Sequence, residues 1–313
     1  MAVVGFLSLS LAKGQIVIDS SDIMSIGDWA TTAIDTTVVG YSPGPAGSNQ
    51  SWNFSLNLSP DLTDSIYATS VPPSYQSTFP SANILFVNKN KDSMFAEKTN
   101  THLIYLGMSS SIPSLNLRVL FKFNDPLVGS LFPFTYGDSF KDTLLIDNRF
   151  PYTQQPGVDS MRVKVISYKD VVVDAYGSIA TPSASFSNVL RVRTKSIEFD
   201  SVWVHVIFPQ PSWQLVSTMQ DTSYSFQWVA KQQKIEVLTL NLKSDSATVK
   251  SIEWKVNPVT SVSSPEFSYE GINPQGAQPT VYEISGKRIN SNMPPSTIRV
   301  YIRNGKKFIE INR

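Results

Sequence analysis

Strict alternation of apolar and polar residues recurs along this chain and restricts its fold more than any other feature. In S-M-R-V-K-V-I-S-Y, residues 160 to 168, Met161, Val163 and Val165 fall on one face and Arg162 and Lys164 on the other. That is the two-residue period of a half-buried strand. N-V-L-R-V-R-T-K repeats it, with Leu190 and Val192 opposed to Arg191 and Arg193, and Y-S-F-Q-W places Tyr224, Phe226 and Trp228 on one side. Between residues 234 and 256, K-I-E-V-L-T-L-N-L-K and A-T-V-K-S-I-E-W-K-V flank S-D-S, the pattern of a hairpin. Earlier strand signals lie at 16–19, 51–58, 82–88 and 115–123, each bounded by Pro, Gly, Asn, Asp or Ser. Apolar residues are nowhere sustained at helical spacing with a cap and a stop.

Twenty prolines and fifteen glycines in 313 residues suit strands separated by turns, and 41% hydrophobic content is ample for a large core. The expectation is an all-β chain: an antiparallel two-sheet β-sandwich, jelly-roll-like, over residues 15–256. Pairing two sheets buries one face of each strand.

The two ends of the chain differ from this body. The first eleven residues, M-A-V-V-G-F-L-S-L-S-L, are apolar and uncharged, and Ala12 and Gly14 are small residues at the positions a signal peptidase reads. Residues 1–14 therefore read as the remnant of a signal peptide, cleaved before Gln15, although a basic n-region is missing. A buried strand is the alternative. Residues 257–279 hold four prolines and several polar or glycine clusters, the composition of a linker. Beyond it, residues 280–313 carry V-Y-E-I, the turn S-G-K-R, and two strand-like runs around R-N-G-K, where Asn304 and Gly305 suit a type I′ turn. Residues 281–313 carry seven Lys/Arg against two Glu, so the tail is +5 while the whole chain is +1 and the rest −4. A body of that charge is a poor partner for nucleic acid.

The C-terminal segment resembles the type A sorting domain of the type IX (Por) secretion system of Bacteroidota. Val281, Tyr282, Gly286, Lys287 and Arg288 match its V-Y-D-L-x-G-[KR] segment, and Tyr301, Asn304, Gly305, Lys306 and Lys307 match its Y-I-x-x-G-K-K hairpin. Arg299 departs from the pattern, standing where the family usually has glycine. The resemblance implies a small β-sandwich module read by the outer-membrane translocon, with the cargo released or held at the cell surface by way of the periplasm. G-Y-S-P-G-P-A-G-S-N-Q-S-W-N-F-S, residues 40 to 55, is similar to a stretch near the mature N-terminus of uncharacterised exported Bacteroidota proteins. Asp followed by Ser or Thr and a small or aliphatic residue also recurs, resembling the O-glycosylation acceptor of that phylum. The candidate acceptors are Thr36, Ser65, Ser93, Thr143, Ser160, Ser201 and Ser246. The plain alternative is that Asp-Ser and Asp-Thr end turns and start strands in any all-β chain.

Signals for chemistry are sparse. The chain has no cysteine, hence no disulfide, thiolate metal site or thiol nucleophile. Its two histidines, His102 and His205, lie far apart, and His205 shares a strand face with Trp203 and Ile207. No metal site or cofactor is expected from such a set. Y-G-D-S-F at 136–140 echoes an esterase motif, but no histidine follows position 205 to complete it. Strand-borne carboxylates at Glu97, Asp125, Glu198 and Glu236 would permit glycoside hydrolysis if two of them faced each other. Among six tryptophans, Trp213 in P-Q-P-S-W-Q is the candidate for stacking on a glycan. The leading expectation is a secreted or cell-surface, non-enzymatic β-sandwich. Its role would be binding or structural, its partners the type IX translocon and a glycan or protein ligand. The rival is a carbohydrate-binding protein or a polysaccharide-active glycoside hydrolase. No stretch of about twenty apolar residues supplies a transmembrane helix.

Overall fold

A computed structural model of the chain describes residues 16–112, 117–153, 155–256, 297–303 and 306–312, with the side chains of Ile112, Leu117 and the two C-terminal stretches left aside. Its strands are β1 (Val17–Ile18), β2 (Trp29–Asp35), β3 (Gly47–Asn53), β4 (Leu62–Thr69), β5 (Ile84–Asn88), β6 (Ser93–Lys98), β7 (His102–Ile112), β8 (Leu117–Leu131), β9 (Phe134–Thr135), β10 (Ser139–Pro151), β11 (Val158–Ala180), β12 (Ser185–Val206), β13 (Ser212–Ala230), β14 (Leu238–Leu242), β15 (Val249–Lys255), β16 (Thr297–Arg303) and β17 (Lys306–Asn312). Among the described residues the only helical turns are two short 3₁₀ segments, Ser20–Asp22 and Pro73–Tyr75. No helix there is long and apolar enough to cross a membrane.

The all-β expectation holds, and the sandwich does not. Twelve strands follow one another by antiparallel pairing in the order β10-β8-β7-β6-β5-β4-β2-β15-β14-β13-β12-β11, and β10 then pairs with β11 to close a barrel. Each barrel strand thus has a neighbour on both sides, which removes the open edges that a sandwich retains. The long strands make closure possible. β11 and β12 run for 23 and 22 residues, and β10 pairs with β8 along one side while pairing with β11 along the other. A half-buried alternation states that one face of a strand is covered; a second sheet and the far wall of the same sheet satisfy it equally.

Met161, Val163 and Val165 face inward as expected, at 0%, 5% and 3% exposure. Together with Val119, Phe121, Val202 and Val204 they pack one end of the interior. The other end is filled by segments outside the barrel. Ile23, Met24, Phe132, Phe134 and Ile235 pack against the inward residues Ile84, Phe86 and Ala96. Ile18 packs against Leu190 and Val229. Buried amines tie down these fillers: Lys98 Nζ donates to the carbonyls of Ile23 and Met24, each at 2.8 Å, and Lys255 Nζ to the carbonyl of Gln233 at 2.8 Å. Burial holds the Lys98 amine below its usual range and lowers that of Lys255 to about 8.

Along β13 to β15 the sides are exchanged relative to an ordinary barrel wall. Phe226, Trp228, Leu238, Leu240, Ile252 and Trp254 point outward, yet all are buried. They are sealed by the segment between β2 and β4, which adds β3 parallel to the end of β11 and lays Trp52 and Phe54 over Trp228 at ring distances of 5.5 and 5.2 Å. A close approach permits this parallel pairing: a Cβ on Gly177 would stand 1.8 Å from the carbonyl oxygen of Gln50.

β16 and β17 pair antiparallel from Thr297 opposite Asn312 to Arg303 opposite Lys306, as a two-stranded sheet apart from the barrel sheet. Tyr301 lies in β16, and Lys306 and Lys307 in β17. Val281, Tyr282, Gly286, Lys287, Arg288, Asn304 and Gly305 lie outside the described residues, as do 1–14 and 257–279.

Candidate functional site

The exchanged wall leaves a polar face turned into the barrel. Register defines it row by row. Ser167 stands opposite Glu198, and Glu198 opposite Asp221; Lys169 opposite Ser196, and Ser196 opposite Ser223. Thr194, Ser225, Asn241 and Ser251 form the next row, and Gln227, Thr239, Glu253 and Ile34 the one after. These side chains line a cavity of about 500 Å³, a size within the roughly 300–1,000 Å³ of small-molecule sites. The facing wall is apolar: Met94 of β6, Met108 of β7, Phe123 and Leu127 of β8, and Leu144 and Ile146 of β10.

The charges on the polar wall are arranged in relation to one another. Burial pushes the Lys169 amine down, opposed by the nearby carboxylates of Glu198 and Asp142. Burial likewise lowers the Lys250 amine, with Asp221 as its opposing charge. Glu236 accepts a hydrogen bond from Gln227 Nε2 at 3.2 Å, and burial raises its carboxyl above the ordinary range. The part of Glu236 that remains accessible lines the cavity. Thr32 Oγ1 donates to Glu253 Oε1 at 2.6 Å, and Asn241 Nδ2 to Ser251 Oγ at 3.2 Å. Across the lumen the Tyr105 phenol is also raised, by burial first and by the Glu236 carboxylate second. The wall therefore presents hydroxyls, amides and carboxyls of both protonation tendencies to one enclosed space. Among the described residues, no group of His, Asp and Glu is arranged to hold a metal ion.

Two of the four carboxylates singled out in the sequence, Glu198 and Glu236, come together on this cavity, whereas both had been read as solvent-facing or turn residues. Glu97 lies elsewhere, with its Oε1 3.5 Å from His102 Nε2, and Asp125 is exposed on β8. Trp213 does not line the cavity. It is half-buried on the outer wall, its ring 5.1 Å from that of His205 and 5.2 Å from the Arg149 guanidinium. His205 in turn holds Asp159 through Nδ1 at 2.8 Å, which agrees with a packed imidazole.

The Asp-Ser/Thr positions scatter over the surface and strands. Ser246 is exposed, in the β14–β15 turn that Asp245 organises by accepting from Ala247 N, Thr248 N and Thr248 Oγ1. Those bonds, that of the Thr248 hydroxyl foremost, lower the Asp245 carboxyl to about 2. Ser65, Thr143, Ser160 and Ser201 lie within strands, Ser93 begins β6, and Thr36 follows β2 with its hydroxyl on Asp61.

Sequence reasoning missed Gln227, Lys169, Asp221, Lys250, Glu253 and the serines beside them. A usable signal was present. The polar positions of Y-S-F-Q-W and L-T-L-N-L are Ser, Gln, Thr and Asn, uncharged residues that hydrogen-bond in an enclosed space, in place of the Lys and Glu usual on a solvated strand face.

Comparison with known proteins gives no family model, no curated protein and no solved structure that matches the chain.

Proposed function

We propose that this chain is a non-enzymatic binding protein of the cell envelope that takes a small ligand inside its barrel. The observation that carries the reading is the exchanged wall. Leu238, Leu240, Ile252, Phe226 and Trp228 face outward under a covering segment, and the hydroxyl and amide positions of the same strands face inward. A barrel built only for stability gains most by turning those leucines and aromatics into its centre. Polar groups turned inward instead carry a desolvation cost that a recognised ligand offsets. Arg162, Lys164, Arg193 and Lys195 project from the outer faces of β11 and β12, an arrangement that suits water better than lipid. Nile red, an uncharged dye, tests the reading on the full chain. Its fluorescence should rise saturably with wild-type protein and fall away in Met108→Trp and Leu127→Trp, which place bulk in the lumen. Undiminished dye binding in both variants, each still unfolding cooperatively, would contradict it.

The address is a separate part of the proposal: export through the type IX system to the medium or the outer-membrane surface. Its support is the match of Val281, Tyr282, Gly286, Lys287 and Arg288 to one sorting motif and of Tyr301, Asn304, Gly305, Lys306 and Lys307 to the other. The self-paired β16–β17 ladder is compatible with that module. Deleting 280–313 should leave a folded body trapped in the periplasm. Full recovery of the truncated protein in the medium would refute the address.

A second reading has one observation in its favour. Glu198 and Glu236 line the same cavity, one beside Lys169 and the other held toward its neutral form by burial, the contrast a glycosidase uses between its two carboxyls. Turnover of an aryl glycoside by wild type, lost in Glu236→Gln with binding retained, would favour this enzyme over the carrier.

A further inference from the structure

We infer that the lumen takes an amphiphile with an uncharged, hydroxylated head and a single aliphatic chain; this rests on reading the lumen as a ligand site and goes on to name the ligand's chemistry. The two walls differ in kind. Met94, Met108, Leu127, Leu144 and Ile146 offer an aliphatic surface with no hydrogen-bonding group, and the two methionines adapt to a flexible chain. Opposite them, the hydroxyls of Ser167, Ser196, Ser223, Ser225, Thr239 and Ser251 lie on five adjacent strands, β11 to β15. Groups that both donate and accept match a head that does the same, such as glycerol or a sugar.

The charge inventory argues against the alternatives. The lining carboxyls Glu198, Asp221, Glu236 and Glu253 outnumber the amines Lys169 and Lys250. Each amine has a carboxylate acting on it, Glu198 for Lys169 and Asp221 for Lys250. A carboxylate head would enter a field with an excess of its own sign. A quaternary ammonium head can neither donate nor accept, so it would strip water from the serine wall and replace none of the hydrogen bonds. A purely polar sugar would leave the aliphatic wall uncovered.

One chain carried on three heads tests this. Calorimetric titration of the full-length protein with monolauroylglycerol, laurate and dodecyltrimethylammonium, each below its micelle concentration, should give saturable binding to monolauroylglycerol. Affinity for the two charged amphiphiles should be weaker by about tenfold or more, and glycerol alone should give no heat. Ser225→Ala, which only shortens a lumen side chain, should weaken monolauroylglycerol and narrow its margin over laurate. Equal or tighter binding of either charged amphiphile overturns the assigned ligand class while leaving the lumen a ligand site. Absence of binding by all three, or binding that survives intact in both Met108→Trp and Leu127→Trp, overturns the site itself.

Discussion

Arg191 and Asp174 form a two-point ion pair on the outer wall of the barrel, Nε to Oδ1 at 2.8 Å and Nη2 to Oδ2 at 3.0 Å, with the arginine only 1% exposed. The remaining guanidinium nitrogen donates to the carbonyls of Pro43 and Gly44, and the group sits 5.5 Å from the Trp52 ring and 5.1 Å from that of Phe226. One side chain thereby fastens the covering segment to the wall it seals. Here the alternation that puts Arg191 outward is right, and its extension to a solvated arginine is wrong, because the cover arrives from residues 36–59.

Replacing Arg191 by Met leaves Asp174 as a nearly buried charge without its partner. The loss expected in urea denaturation is about 3–5 kcal/mol. Arg191→Lys should recover little of it, since an ammonium cannot span both carboxylate oxygens and two carbonyls. A loss under about 1 kcal/mol in the Met variant would mean that the clamp does not hold the cover.

Gly177→Ala tests the same cover from the other side. The added methyl would collide with backbone at Gln50, so β3 has to leave β11 or both strands have to shift. Proteolysis between residues 36 and 59 should accelerate markedly while the barrel remains folded. Cleavage at the wild-type rate would show that the parallel pairing is not needed to seat the segment.

Glu236 supplies a pH signature. Burial raises its folded pKa above 4.5, so the unfolded chain releases this proton at lower pH than the folded one. Its contribution to stability is therefore present below about pH 4.5 and is lost as pH rises through the folded pKa. Gln has the same shape and no proton to release. The melting temperature of Glu236→Gln minus that of wild type should be near zero at pH 4 and positive at pH 8. A difference that is constant with pH would place Glu236 in an ordinary solvated setting.

How far the sequence reaches is visible in particular strands. The faces of β11 are legible in Met161, Arg162, Val163 and Lys164, and the β14–β15 hairpin is legible in its S-D-S turn, because alternation and turn chemistry are local. Closure is not local. It depends on β10 reaching β8 and β11 at once, a relation between segments that no window of residues contains. The same limit hid the cavity. Y-S-F-Q-W separates Tyr224, Phe226 and Trp228 from Ser225 and Gln227 without stating which set faces the centre, and the answer comes from Trp52 and Phe54 more than a hundred residues earlier. Glu198 and Glu236 were recognisable as carboxylates, and only the register of β12 with β13 and the path into β14 put them on one wall.

Methionine methyl groups offer the most direct measurement of the central claim. With seven methionines in the chain, a methyl-labelled sample yields a spectrum simple enough to assign by single Met→Leu variants. Met94 and Met108 line the cavity, while Met24 and Met161 are packed at the opposite ends of the interior at 2% and 0% exposure. Saturating the protein with monolauroylglycerol should move the Met94 and Met108 signals and give contacts from them to the acyl chain, with Met24 and Met161 little changed. Bound ligand that leaves Met94 and Met108 unmoved would contradict a ligand site inside the barrel.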